Sequence, residues 1–172
     1  AARQRNQNRI QPRPRPALVP LTFGQRRLWL LDQLTPGLTA YNSPVVLWLE
    51  GPLDRTHLRA AVEAIAARHE GLRTVFRAKN GEPFQFVQDS IEVPWRELKA
   101  EGAQSGVQRA AAMALARQEV NRPFDLARDA MLRAAVIEAG PQHHLLVLTF
   151  HHIAIDGWSL TLLVNELQRL YN

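Results

Sequence analysis

The sequence runs to 172 residues, enough for one domain with a core of its own and short of two. It is 46% hydrophobic and 22% charged, has no cysteine, and holds no apolar run near the ~20 residues of a membrane span. Disulfide staples, thiol catalysis and thiolate metal sites are therefore excluded, and a cytoplasmic location with no membrane partner is the expectation. The net charge of +5 belongs to the leader. Arg3, Arg5, Arg9, Arg13 and Arg15 fall in the first sixteen residues, where there is no acid, and the remaining basic and acidic residues balance. A neutral body has no excess charge with which to hold a phosphate backbone, so nucleic acid is not an expected partner.

Residues 1–18 are rich in Arg, Gln, Asn and Pro, and Pro12, Pro14 and Pro16 alternate along them. This composition favours an extended linker over a packed element. It lacks the apolar core of a signal peptide, and without an initial Met it reads as cut from a longer protein. Structure is expected from Leu21. Thr22 followed three residues later by Gln25 is a capping-box signal, and Leu28, Leu31 and Leu34 follow at helical spacing up to Pro36-Gly37. Residues 43–50 are apolar on both faces, which predicts a buried strand. Asp54 is placed to cap a second helix with an inner stripe of Leu58, Ala61, Val62 and Ile65.

Asn80-Gly81 between residues 73–78 and 83–88 predicts a hairpin. Residues 103–120 read as a third helix stopped by Pro123, 132–138 and 144–150 as two strands, and 159–170 as a fourth helix. Helices alternating with strands and one hairpin give an α/β class with a mixed β-sheet and flanking helices.

The chemistry concentrates in His151-His152-Ile153-Ala154-Ile155-Asp156-Gly157-Trp158-Ser159, after an apolar strand and before a helix. Loops at strand ends are where α/β folds present reactive groups. A metal site would need His143 and His144 to join this pair. An extended strand rises ~3.3 Å per residue and holds the two pairs ~20 Å apart, so no metal is expected. The Gly-x-Ser-x-Gly elbow of a hydrolase is missing, and His69-Glu70 lacks the second His of a zinc-protease helix. Side chains of neighbouring extended residues point opposite ways, so one of the two imidazoles faces inward and the other outward. His151, like His57, His69, His143 and His144, is expected to be a packed histidine satisfied by hydrogen bonds.

The segment resembles the His-His-x-x-x-Asp-Gly signature of condensation domains of non-ribosomal peptide synthetases, which belong to the chloramphenicol acetyltransferase-like superfamily. Residues 21–34, with Gln25-Arg26-Arg27-Leu28-Trp29, resemble the family's opening motif, followed by Tyr41-Asn42. Arg68-His69-Glu70-Gly71-Leu72-Arg73-Thr74-Val75-Phe76 resembles the second motif, and Pro123-Phe124-Asp125-Leu126 a further familiar stretch. Gly24 stands where Ala is usual, Ala130-Met131 where Pro-Leu is common, and Ile155 where domains taking an L-configured donor often carry a small residue.

The resemblance covers the chain from about residue 20 to its end. It implies residues 1–18 as a linker following a carrier domain and 19–172 as the N-terminal lobe of a condensation domain, whose partners are the C-terminal lobe and the donor and acceptor carrier domains. No cofactor is bound directly. The substrates ride on the phosphopantetheine arms of the carriers, and an amine on one attacks a thioester on the other. His152 matches the functional histidine, as a base for the amine or as the group that orients it. Asp156 is expected to brace the loop by pairing with Arg73, or with Arg68 as second choice. Gly157 and Trp158 are placed at the approach of the substrate or pantetheine arm, Gly157 to admit it, although an indole such as Trp158 is core more often than ligand contact. The helix after the loop would point its positive end at the site. An epimerisation-domain lobe and a non-catalytic carrier-docking module are the alternatives, and the Gln-Arg-Arg-Leu-Trp opening favours condensation. The isolated lobe is expected to be inactive.

Overall fold

The structure, a computed structural model, describes residues 16, 18–102 and 104–172. The linker expected over residues 1–18 lies, apart from Pro16 and Leu18, outside the described residues. In chain order the elements are β1 (Val19–Pro20), α1 (Phe23–Leu34), β2 (Asn42–Glu50), α2 (Arg55–Arg68), a 3₁₀ turn (Glu70–Arg73), β3 (Thr74–Lys79) and β4 (Glu82–Val87). They continue with β5 (Trp95–Lys99), α3 (Ser105–Val120), β6 (Leu132–Glu138), β7 (His143–His151) and α4 (Gly157–Tyr171).

Local chemistry explains where these elements begin. Thr22 and Gln25 form a reciprocal capping box at the start of α1: the Gln25 N–H donates to Thr22 Oγ1 at 3.2 Å and the Thr22 N–H to Gln25 Oε1 at 3.0 Å. Asp54 caps α2 by accepting the His57 N–H at 2.9 Å. Asn80 and Gly81 both take positive φ, 54° and 81°, between Lys79 and its partner Glu82. A two-residue hairpin loop of this twist requires such angles, which Asn-Gly adopts at little cost.

The strands form two sheets. The hairpin β3–β4 pairs with β1 in a sheet of order β1-β4-β3, and the other four strands make a sheet of order β2-β7-β6-β5. In that second sheet only β5–β6 is parallel, with α3 as the crossover between them. One sheet face packs against α2 and α4, where Leu58, Val62 and Ile65 meet Leu146, Leu148, Phe150, Leu163 and Leu167. The other face packs against α3, where Ala112 and Ala116 meet Ile137, Leu145 and Val147. With both faces covered and a strand on either side, β7 is the buried centre, which accounts for its unbroken apolar run.

The strand at 43–50 corrects the expectation of a buried strand. β2 lies on the sheet edge with Pro44 exposed and Val46 37% exposed. An edge tolerates a proline that cannot donate to the ladder. At the opposite edge, β5 carries the sequence Trp-Arg-Glu-Leu-Lys, whose polar residues are exposed. A third cluster, of Phe76, Phe124, Leu126, Met131 and Ile153, seals the end of β7 where the candidate loop begins.

Candidate active site

The loop 151–156 is held from every side. The His151 N–H donates to Met131 O at 3.2 Å, the His152 N–H to Tyr41 O at 2.9 Å, and the Ala154 N–H to His151 O at 3.0 Å. Gly71 of the 3₁₀ turn lies against the loop, because a β-carbon there would stand 3.2 Å from Ala154 O. Gln25 reaches in from α1, donating from Nε2 to Ile153 O at 3.3 Å. Residues far apart in sequence thus converge on six consecutive ones.

This frame turns the two histidines in opposite directions. His151 is buried, 2% exposed. Its Nδ1 accepts the Ile153 N–H at 3.2 Å, and its ring meets Phe124 edge-on with centroids 5.6 Å apart. Burial first, and then the nearby His152 and Arg133 charges, push its pKa down to about 4. A neutral imidazole is what the contact requires, since Nδ1 must keep its lone pair. Arg133 stacks on the Phe124 ring, with its guanidinium carbon 4.1 Å from the ring centroid, and donates to the carbonyls of Pro123 and Arg122. Burial lowers its pKa to about 10, which leaves it charged at neutral pH. Asn42 also collects carbonyls beyond α3, from Val120 at 2.6 Å and Arg122 at 2.9 Å.

His152 is exposed and lines an open cleft of about 690 Å³. The cleft walls come from Thr22, Gln25, Arg27 and Leu28 of the α1 segment, from Tyr41, and from loop residues through Asp156 and Ser159. In the sequence Gln25 has a capping role only, and Arg27 and Tyr41 have none beyond their motifs. Their approach to the loop is a product of tertiary folding, for which the motif match was the one available signal.

Several expectations are corrected here. Asp156 pairs with neither arginine. Its Oδ1 accepts the Ser159 N–H at 2.8 Å and the Ser159 hydroxyl at 2.6 Å, so it is the N-cap of α4. Those two bonds hold its carboxyl below the ordinary aspartate range. The positive end of α4 is therefore already engaged by Asp156. Arg73 donates to the Ala67 and Gln88 carbonyls and lies 3.7 Å from Glu70, bracing the 3₁₀ turn against β4. Arg68 pairs with Glu166 of α4, which also meets His69 Nε2 at 2.6 Å. The ion pairs thus tie the second motif to α4 one helix turn and more beyond the loop. Trp158 is not core but 78% exposed, and a β-carbon on Gly157 would meet no protein atom within 4 Å. His69 meets Glu166, but His57 and His143 are exposed and not packed as expected, and buried His144 leaves Nδ1 without a hydrogen-bond partner. No group of three metal-ligating side chains occurs among the described residues.

The family model for the condensation domain matches residues 17–172. The chain is 43% identical over 165 residues to a probable non-canonical nonribosomal peptide synthetase, CymA, of Salinispora arenicola, spanning 95% of this chain and 2% of that protein. It is 42% identical to the phosphinothricin tripeptide synthetase PhsC of Streptomyces viridochromogenes, over 88% of this chain and 14% of that one. Among solved structures, the first condensation domain of the calcium-dependent antibiotic synthetase superposes with a TM-score of 0.77 at 27% identity, over 88% of this chain and 36% of that one. The starter condensation domain of the rhizomide synthetase RzmA has the same fold, with a TM-score of 0.81 at 22% identity, over 91% and 37%.

The chain belongs to the condensation-domain family of non-ribosomal peptide synthetases, and it fits the N-terminal lobe of that domain. It spans a small fraction of the synthetases it matches and a little over a third of the solved domains.

Proposed function

We propose that this lobe supplies the reactive histidine of a peptide-bond-forming condensation domain. The amine of one carrier-bound aminoacyl group attacks the thioester of another. A C–N bond forms, the C–S bond breaks, and the proton lost by nitrogen leaves with the thiol. His152 accepts the hydrogen bond of the attacking amine and draws off its proton as the tetrahedral adduct forms. The observation that carries this reading is the contrast within the pair: His151 is buried as an acceptor for the loop, while His152 alone opens on the cleft.

Residues 19–172 act as the N-terminal lobe, with residues 1–18 as a linker to an upstream carrier domain. Phe23 and Leu34 of α1 and Trp158 and Leu162 of α4 are exposed apolar residues on the two helices that border the cleft. Exposed apolar area of this kind marks an interface, and the C-terminal lobe is the partner that closes a substrate tunnel over it. The phosphopantetheine arms of donor and acceptor carriers enter that tunnel, Gly157 leaving room beside the loop. The lobe alone does not turn over, and its setting is cytoplasmic; no helix among the described residues is long and apolar enough to cross a membrane.

The test is His152→Ala in the complete two-lobe domain, with both carriers loaded and dipeptidyl product followed on the acceptor. Removal of a well-placed acid–base group costs ~10²–10⁴ in rate, and carrier docking stays intact. Near-parental turnover would remove His152 from the chemistry and favour a docking module.

A further inference from the structure

Gln25 serves two purposes with the two ends of one amide. Its Oε1 accepts the Thr22 N–H at 3.0 Å and closes the capping box of α1. Its Nε2 points the other way, 3.2 Å from Gln85 Oε1 and 3.3 Å from Ile153 O. The capping box needs only the oxygen, and glutamate meets that need as well as glutamine does. The nitrogen is demanded by what surrounds it, two acceptors that a carboxylate would face lone pair to lone pair. Gln85 is itself oriented by donating from Nε2 to Pro20 O at 3.0 Å, which leaves its oxygen toward Gln25.

Ile153 follows His152 directly. Its N–H is taken by His151 Nδ1 and its carbonyl by Gln25, while the N–H of His152 itself is taken by Tyr41 O. The backbone on both sides of His152 is therefore fixed, and among the described residues Gln25 is the one side chain doing so from the cleft wall rather than from within the loop. We propose that Gln25 is a positioning residue for His152: through the Ile153 carbonyl it holds the loop, and with it the ring, in register with the bond being formed. This rests on the reading of His152 as the reactive group.

The experiment uses Gln25→Glu and Gln25→Met in the complete domain. Glutamate keeps the acceptor of the capping box and loses the donor, so the melting temperature stays near the parent's. Turnover falls roughly tenfold, within the ~10²-fold that an ångström of misplacement costs, with half-saturation by the loaded carriers unchanged. Deuterium uptake of the peptide spanning residues 151–156 rises. Methionine lacks donor, cap and charge; an equal loss of turnover assigns the effect to the missing donor. Retained turnover in the methionine variant would trace the glutamate loss to its charge and overturn the inference, as would parental turnover and uptake in Gln25→Glu. Full turnover by His152→Ala would instead overturn the reading of His152, and the uptake measurement would still decide whether Gln25 holds the loop.

Discussion

A β-carbon on Gly71 would stand 3.2 Å from the carbonyl oxygen of Ala154, so the 3₁₀ turn after α2 and the loop bearing His152 meet backbone to backbone. The φ of Gly71 is not in the left-handed region, so alanine is barred there by the neighbour and not by the backbone. Gly71→Ala must push the loop away by a few tenths of an ångström, at a cost of about 1 kcal/mol from overpacking. The expected result is a modest drop in unfolding midpoint together with a loss of turnover in the complete domain out of proportion to it. Unchanged turnover would mean that the loop absorbs the shift without moving His152.

Asp156 is expected to act as a helix cap and not as an ionic brace. Asp156→Asn, which keeps a capping oxygen, should unfold close to the parent, and Asp156→Ala at a lower temperature. A double-mutant cycle with Arg73→Ala should be additive, because the two residues share no partner. The sign with pH follows from the depressed carboxyl. Its contribution is full above the ordinary aspartate pKa of about 3.9 and is lost as pH falls through the lower folded value. Thermal melts of the parent, the three single variants and the double variant from neutral pH to acid check both points; a coupling between Asp156 and Arg73 would restore the ion pair.

Periodicity and capping residues carried most of the fold. Thr22 and Gln25, Asp54, and Asn80-Gly81 each announce a local geometry that short-range chemistry enforces, and the structure has all three. β5 escapes a sequence reading because Trp95–Lys99 sets the charged pair Arg96-Glu97 side by side and breaks the two-residue period, so it reads as loop until a parallel neighbour supplies its ladder. β2 reads as a buried strand because hydrophobicity does not distinguish a strand covered by helices from one at a sheet edge. At the site, the alternation of extended chain separated His151 from His152. The arginine assigned to Asp156 was wrong for a physical reason: Ser159, three residues on, offers the carboxylate a backbone amide and a hydroxyl with almost no chain to order, and a distant guanidinium does not compete. Arg133 and Phe124 behind His151 left no trace in spacing, since strand and loop bring them together only in the folded chain.

His151 offers the clearest pH dependence. Its folded pKa is pushed down to about 4, chiefly by burial, against about 6.5 in an unfolded chain. Between these values the unfolded state binds the proton that the folded state refuses, so stability rises with pH across that window. It is complete above about pH 6.5 and is lost as pH falls toward 4, a loss on the order of 3 kcal/mol at 1.36 kcal/mol per unit. The groups facing the ring work in the same direction: His152 and Arg133 are both cations when protonated, and no acid is among the causes of its shift. Two measurements check this. The His151 ring protons should keep their neutral chemical shift by NMR down to about pH 5, while those of an unfolded reference titrate normally. Urea midpoints should fall between pH 6.5 and 4.5, and His151→Gln, which cannot gain a proton, should flatten that slope even if it is less stable throughout. A His151 ring that titrates near 6.5 in the folded protein would show that the imidazole is not held as the acceptor of the Ile153 amide, and the frame around His152 would need another support.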